Sequence, residues 1–328
     1  MTQPGALMAA EIAEQPDVWR RFLAEGAEQI TAARARIAEY SPRFVQFVAR
    51  GTSDHAALYA KYLVEIHHQL PAGLVSPSSM TVYGAKPNLQ DVLFVAVSQS
   101  GGSPDLVKSV EIARERGALT LAVTNNPASP LAAAAEMHID VLAGTERSVA
   151  ATKTYTAELL ALYELFVGGG ADALPDLGEK VLAADAAIIL AAQRYRFAQR
   201  LITTGRGYSY PTAREAALKL METSYLSAQA FSGADLLHGP LATVDPQVPV
   251  IAVVPNNAGG AAMEPVLARL EERSADILRI GDTIPEVPDA LSPLLEILPL
   301  QQLALHLAIA RGGNPDEPRG LFKVTETL

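Results

Sequence analysis

Short apolar runs rich in β-branched residues recur at positions 44–49, 92–97, 119–123 and 138–142. A helical pattern covers 54–65, a looser stretch 74–83, a second helical pattern 105–116 and a longer one 151–166. Strands alternating with helices at this spacing predict a parallel sheet covered on both faces. A second set of runs follows at 200–204, 250–254, 276–280 and 294–298, aligned with the first at an offset of 156 residues. At this offset 44–50 maps onto 200–206, 95–97 onto 251–253, 120–123 onto 276–279 and 140–142 onto 296–298. Self-similarity at a fixed offset predicts two copies of one α/β unit.

The glycine run Gly168, Gly169, Gly170 marks the expected joint, because such runs end helices and open linkers. A helix over 175–194 then leads into the second copy. Residues 11–40 read as a helical lead-in that packs through Trp19, the single tryptophan. The expected organisation is an arm over 1–40, a first subdomain over 41–172, a second over 173–311 and a tail over 312–328.

Composition narrows the function. The 328 residues are 49% hydrophobic and 19% charged, enough for a large core and unlike a disordered chain. The formal net charge of -10 repels phosphate backbones, which argues against nucleic acid as a partner. With 0 cysteines the chain has no thiol nucleophile, thiolate zinc site or disulfide. The uncharged stretches 66–85 and 117–135 are broken by Pro71, Pro77, Pro127 and Pro130, so neither reads as a membrane span. The expectation is a soluble cytoplasmic protein.

In an open parallel sheet, ligands bind beyond the carboxyl ends of the strands. After the run at 92–97 come Ser98, Gln99, Ser100, Gly101, Gly102 and Ser103, directly before a helix that opens on Pro104. Hydroxyls, backbone N–H groups and a helix N-terminus converging there make a phosphate cradle. The same residues also suit an ordinary turn with a serine cap. The matching loop of the second copy, from Val254 to Ala258, lacks the hydroxyls.

The second copy carries a different signal. Glu215, Lys219 and Glu222 fall on one face of a helix expected over 213–225. They form either a solvated stripe with an i,i+4 pair or a working carboxylate–ammonium–carboxylate set. His238 stands in a sharp Leu237-His238-Gly239-Pro240 loop, and His55 follows Gly51, Thr52 and Ser53. In the glycine- and proline-broken tail, Lys323 lies between Phe322 and Val324. It belongs either to a frayed end or to a segment that delivers its amine to a site.

Taken together, Arg50-Gly51-Thr52-Ser53, Ser98-Gln99-Ser100-Gly101, Thr145-Glu146 with Ala151-Thr152-Lys153, Glu215 through Glu222, His238-Gly239-Pro240 and Arg319-Gly320-Leu321-Phe322-Lys323 resemble the sugar isomerase (SIS) family. The resemblance extends over roughly 30–328. It implies tandem SIS subdomains, each a flavodoxin-like sandwich of a parallel sheet between helices, serving one sugar-phosphate site. By motif, Ser98, Gln99, Ser100 and Ser103 hold the phosphate, and Thr52 and Ser53 contact the sugar and phosphate. Ala151 stands where relatives place a sugar-contacting serine. Glu222 moves a proton between C1 and C2, with Lys219 and Glu215 beside it. His238 opens the sugar ring of a neighbouring subunit, which implies a homodimer with shared sites. Lys323 contacts the open-chain sugar. No cofactor or metal is implied.

Departures from the aminotransferase branch of the family include the absent cysteine nucleophile and Leu237 where that branch has a lysine. They turn the expectation toward an amino-sugar-phosphate deaminase/isomerase acting on a glucosamine 6-phosphate-like substrate. The alternatives are dehydration of an N-acetylated amino-sugar phosphate, deglycation of a fructosamine phosphate, and a non-catalytic phosphosugar sensor.

Overall fold

The computed structural model describes residues 3–323, and two all-parallel sheets organise it. The first holds β1 (Phe44–Val48), β2 (Ala72–Leu74), β3 (Val92–Ser98), β4 (Leu119–Thr124) and β5 (Met137–Asp140), in the order β2-β1-β3-β4-β5. The second holds β6 (Arg200–Gly205), β7 (Ser227–Ser232), β8 (Pro249–Val253) and β9 (Asp276–Ile280), in the order β7-β6-β8-β9. Every residue of β3, β4 and β8 is buried. Central strands covered by helices on both faces have no solvent side, so their sequences run apolar without alternation.

The chain divides into two compact units. One takes the described residues of 17–146, 153–172 and 322–328, and so contains the first sheet. The other takes those of 1–16, 147–152 and 173–321, and contains the second. In the first, Trp19 is wholly buried and donates its indole N–H to Thr156 on the helix Lys153–Phe166, 3.1 Å away. In the second, the helix Ser292–Ala310 packs against the helices Ser209–Ser224 and Ala186–Tyr195.

The repeat is visible in the pairing itself. Val45 pairs with Ala72 and Leu201 with Ala228; Gln46 pairs with Phe94 and Ile202 with Val250. All four equivalences keep the 156-residue offset. The next ladder slips: Phe94 faces Thr120, but Val250 faces Ile277 rather than Asp276. The run at 120–123 therefore corresponds to 277–280, one residue later than the sequence offset predicts.

One predicted strand is overturned. Residues 294–298 belong to the helix Ser292–Ala310, and the second sheet has four strands among the described residues. A short apolar run cannot distinguish a buried strand from a buried helix, and prolines at 293 and 299 bracket this one like a strand. In the fold Pro293 occupies the first helical turn, where no N–H is needed, and Pro299 is accommodated inside the helix. This helix is long and apolar enough to cross a membrane, but 83% of its apolar window is buried in the protein. Its glutamines are paired inside: Gln301 with Gln15 and the Thr152 carbonyl, Gln302 with the Leu182 carbonyl.

Two strands escaped the hydrophobic pattern. β2 is three residues, Ala-Gly-Leu, and β7 is Ser-Ala-Gln-Ala-Phe-Ser. Each lies at a sheet edge, where pairing on one side and partial exposure remove the need for an apolar run. The predicted 175–194 helix is two helices, Leu174–Ala183 and Ala186–Tyr195, and the lead-in is three.

Candidate active site

Because the strands of the first sheet are parallel, the segments that follow β1, β3 and β4 all emerge on one edge. The 98–103 turn leaves fully buried β3 and enters the helix Pro104–Glu115. Ser98 accepts a hydrogen bond from the Gly101 N–H at 3.1 Å, and Ser100 accepts one from the Gly102 N–H at 3.3 Å. A hydroxyl that accepts from the backbone still has its own hydrogen to donate. These two serines are thus oriented donors. Gly101 has φ 63°, and a Cβ there would lie 2.2 Å from Ser129 Oγ, so the turn requires glycine.

Ser103 sits at the N-cap of the helix, yet its side chain makes no cap bond. At Ser129, Ser232 and Asn257, each at an equivalent cap position, the side chain does accept a backbone N–H. The ordinary serine-cap account therefore fails for Ser103 in particular. Gln99 is half-buried, and its carbonyl accepts from the Asn125 N–H.

Beyond the neighbouring strand β1, Thr52 is half-buried at the start of the helix Thr52–Leu63. Ser53 is buried and donates to Glu158 at 2.9 Å. His55 is also buried on this helix. Arg50, immediately after β1 and Ala49, places Nε 2.8 Å and Nη2 2.7 Å from Oδ2 of buried Asp105.

In the other unit, the helix Ser209–Ser224 follows β6 and brings Glu215, Lys219 and Glu222 together. Lys219 Nζ lies 3.3 Å from Glu215 Oε1 and 2.5 Å from Glu222 Oε2. The stripe is not solvated: the Glu215 and Lys219 side chains are 0% and 1% exposed, and only Glu222, at 22%, reaches the surface. Burial works against the charge on Lys219, but the two carboxylates more than offset it and hold the ammonium above the usual lysine range.

Three expected residues remain: His238, Ala151 and Lys323. His238 ends the short helix Gly233–Leu237 and is exposed; among the described residues no hydrogen bond or ion pair ties its ring to Glu215, Lys219 or Glu222. Ala151 is half-buried and offers no hydroxyl. Lys323, 24% exposed, places Nζ 3.0 Å from Oε2 of Glu146, whose side chain is wholly buried. The other oxygen of Glu146 accepts the Thr154 N–H at 3.1 Å.

Residue chemistry alone did not assign roles to Glu146, Glu158 or Asp105. Their available signal was a lone carboxylate, among apolar or small residues at Asp105 and Glu158 and beside Arg147 at Glu146, which in a core must find a donor.

One parallel-sheet unit thus carries a hydroxyl-bearing turn and the other a buried Glu–Lys–Glu helix. The chain belongs to the SIS domain family, whose model matches residues 40–168 and 195–309. It is 35% identical over 350 residues to the glutamine–fructose-6-phosphate aminotransferase (isomerizing) of Thermococcus kodakarensis, covering 96% of this chain and 57% of that protein. The chain thus spans little more than half the length of this curated relative. Among solved structures, a candidate phosphosugar isomerase from Silicibacter pomeroyi matches with TM-score 0.86 and 33% identity, covering 94% of this chain and 99% of that one. The C-terminal domain of the glucosamine-fructose-6-phosphate aminotransferase of Francisella tularensis matches with TM-score 0.81 and 28% identity, over 93% and 96% of the two chains.

Proposed function

We propose that this chain is an amino-sugar-phosphate deaminase/isomerase that converts a glucosamine 6-phosphate-like aldose to a ketose phosphate and ammonia. The observation that carries the reading is the Lys219 ammonium held between Glu215 and Glu222, with Glu222 alone reaching the surface. A proton shift between C2 and C1 needs a carboxylate that is fixed, accessible and backed by positive charge. A phosphosugar sensor has no need of a buried ion triad, whose desolvation is expensive.

In the proposed reaction the ring opens and Glu222 takes the C2 proton, giving an enolamine. Lys219 stabilises the negative charge that develops on the adjacent oxygen. Glu222 returns the proton to C1, leaving an imine at C2. Water then hydrolyses this imine to the ketose and ammonia. The hydroxyls of Ser98, Ser100 and Ser103, with Gln99, hold the phosphate, so that its binding energy fixes the reacting carbons. Thr52, Ser53 and Lys323 complete the sugar contacts, and His238 of a second copy assists ring opening.

Incubation with glucosamine 6-phosphate, with ammonia and ketose phosphate measured together, tests the reading. Equal release of both supports it. Loss of water with retention of nitrogen would replace it with dehydration, and sugar-phosphate binding without turnover would replace it with sensing.

A further inference from the structure

The proposed phosphate turn has hydroxyls and a helix start but no cation of its own. From Ser98 to Leu106 the only formal charge is Asp105, which is negative and buried. An unmasked carboxylate two residues past Ser103 would repel a phosphate dianion. Arg50 removes that problem. It enters from the neighbouring parallel strand, where Val48 pairs with Ala96 two residues before Ser98. Both Nε and Nη2 contact the same oxygen, Asp105 Oδ2, while Oδ1 accepts the Leu106 N–H.

We propose that Arg50 is a further binding residue for the phosphate of the substrate, steered by Asp105 to the start of the Pro104–Glu115 helix beside the serine turn. A guanidinium has five N–H donors in a rigid fork, and the Asp105 contacts use two of them. The Arg50 side chain is 48% exposed and the Asp105 side chain 1%, so of the pair Arg50 is the one a ligand can reach. Asp105 thus acts as a positioning residue. Its charge is cancelled, and the fork it holds offers charge-assisted hydrogen bonds to an oxyanion. The substrate class that follows is a phosphate ester in its dianionic form, in preference to an uncharged sugar. The inference rests on reading the serine turn as the phosphate site.

Calorimetric titration of the full chain with inorganic phosphate tests this without requiring turnover. Arg50→Gln should weaken phosphate binding, and raise KM for the sugar phosphate, by roughly 10–100-fold with kcat changed less than about threefold. Arg50→Lys, which keeps the charge and a bond to Asp105, should recover part of the affinity. The double variant Arg50→Gln with Asp105→Asn separates binding from packing. If Arg50 only neutralises Asp105, the double variant binds phosphate like the wild type, and the inference is overturned. If Arg50 binds phosphate, the double variant stays weak. Ser100→Ala, titrated in parallel, keeps the two layers apart. Loss with Ser100→Ala but not with Arg50→Gln overturns the role of Arg50 alone. Unchanged affinity in both overturns the phosphate turn and the inference with it.

Discussion

Lys323 meets Glu146 across 177 residues of sequence, its ammonium 3.0 Å from a carboxylate that is wholly buried. This fixes the last described residue against the unit that contains the first sheet. A buried carboxylate is tolerated when cations and N–H groups surround it, and here Lys323 and the Thr154 N–H do so. Lys323→Met should therefore destabilise the protein more than Lys323→Met combined with Glu146→Gln. Partial exposure of the lysine lowers the expected coupling to about 1–3 kcal/mol. Urea denaturation of the four members of the cycle measures it, and additive effects would show that the pair carries no energy.

Glu222→Gln keeps size and shape but cannot accept a proton. Turnover should fall by on the order of 10²–10⁴-fold, with sugar-phosphate binding retained. The wild type should wash substrate C2 hydrogen into solvent and the variant should not. Near-normal turnover in the variant would end the proton-transfer role and favour sensing.

The difference between what was legible and what was not has physical causes. The central strands were readable because burial on both faces forces long apolar runs, and the 156-residue repeat gave them a common frame. The edge strands β2 and β7 carry no such constraint, and their sequences look like loop. The stretch from Leu294 to Leu298 satisfied the offset by coincidence of hydrophobicity, while its geometry was decided by helices packing around it. The face shared by Glu215, Lys219 and Glu222 followed from helical periodicity, but their burial did not. The pairings of Lys323 with Glu146 and Arg50 with Asp105 join segments 177 and 55 residues apart, a relation that periodicity cannot encode.

His238 is exposed and unattached to the carboxylate helix of its own chain, which suits service to a second copy. Mixing Glu222→Gln chains with His238→Ala chains should then restore activity in mixed dimers, where one of two sites has both groups intact. An equal mixture should reach about a quarter of wild-type turnover. No recovery, with subunit exchange verified by mass-tagged chains, would assign His238 to its own chain.

Glu296 gives a prediction about stability and pH. It lies wholly buried in the helix Ser292–Ala310, where Oε1 accepts from Ser292 at 2.6 Å and from Ser209 at 3.0 Å. Burial raises its carboxyl to about 7, and the Ser292, Ser209 and Thr212 hydroxyls pull it back only in part. A raised folded value means the fold prefers the protonated form. The stabilisation is complete below about pH 4.5, the ordinary value, and is lost as pH rises through about 7. The difference corresponds to about 3 kcal/mol. Glu296→Gln remains neutral throughout and can still accept from both serines. Relative to the variant, the wild type should lose about 3 kcal/mol between pH 4.5 and 8. Urea midpoints for both proteins across that range check it. Parallel curves would mean that Glu296 does not change protonation in the fold over this interval, and a wild type that gains stability relative to the variant would mean that the fold favours the charged carboxylate.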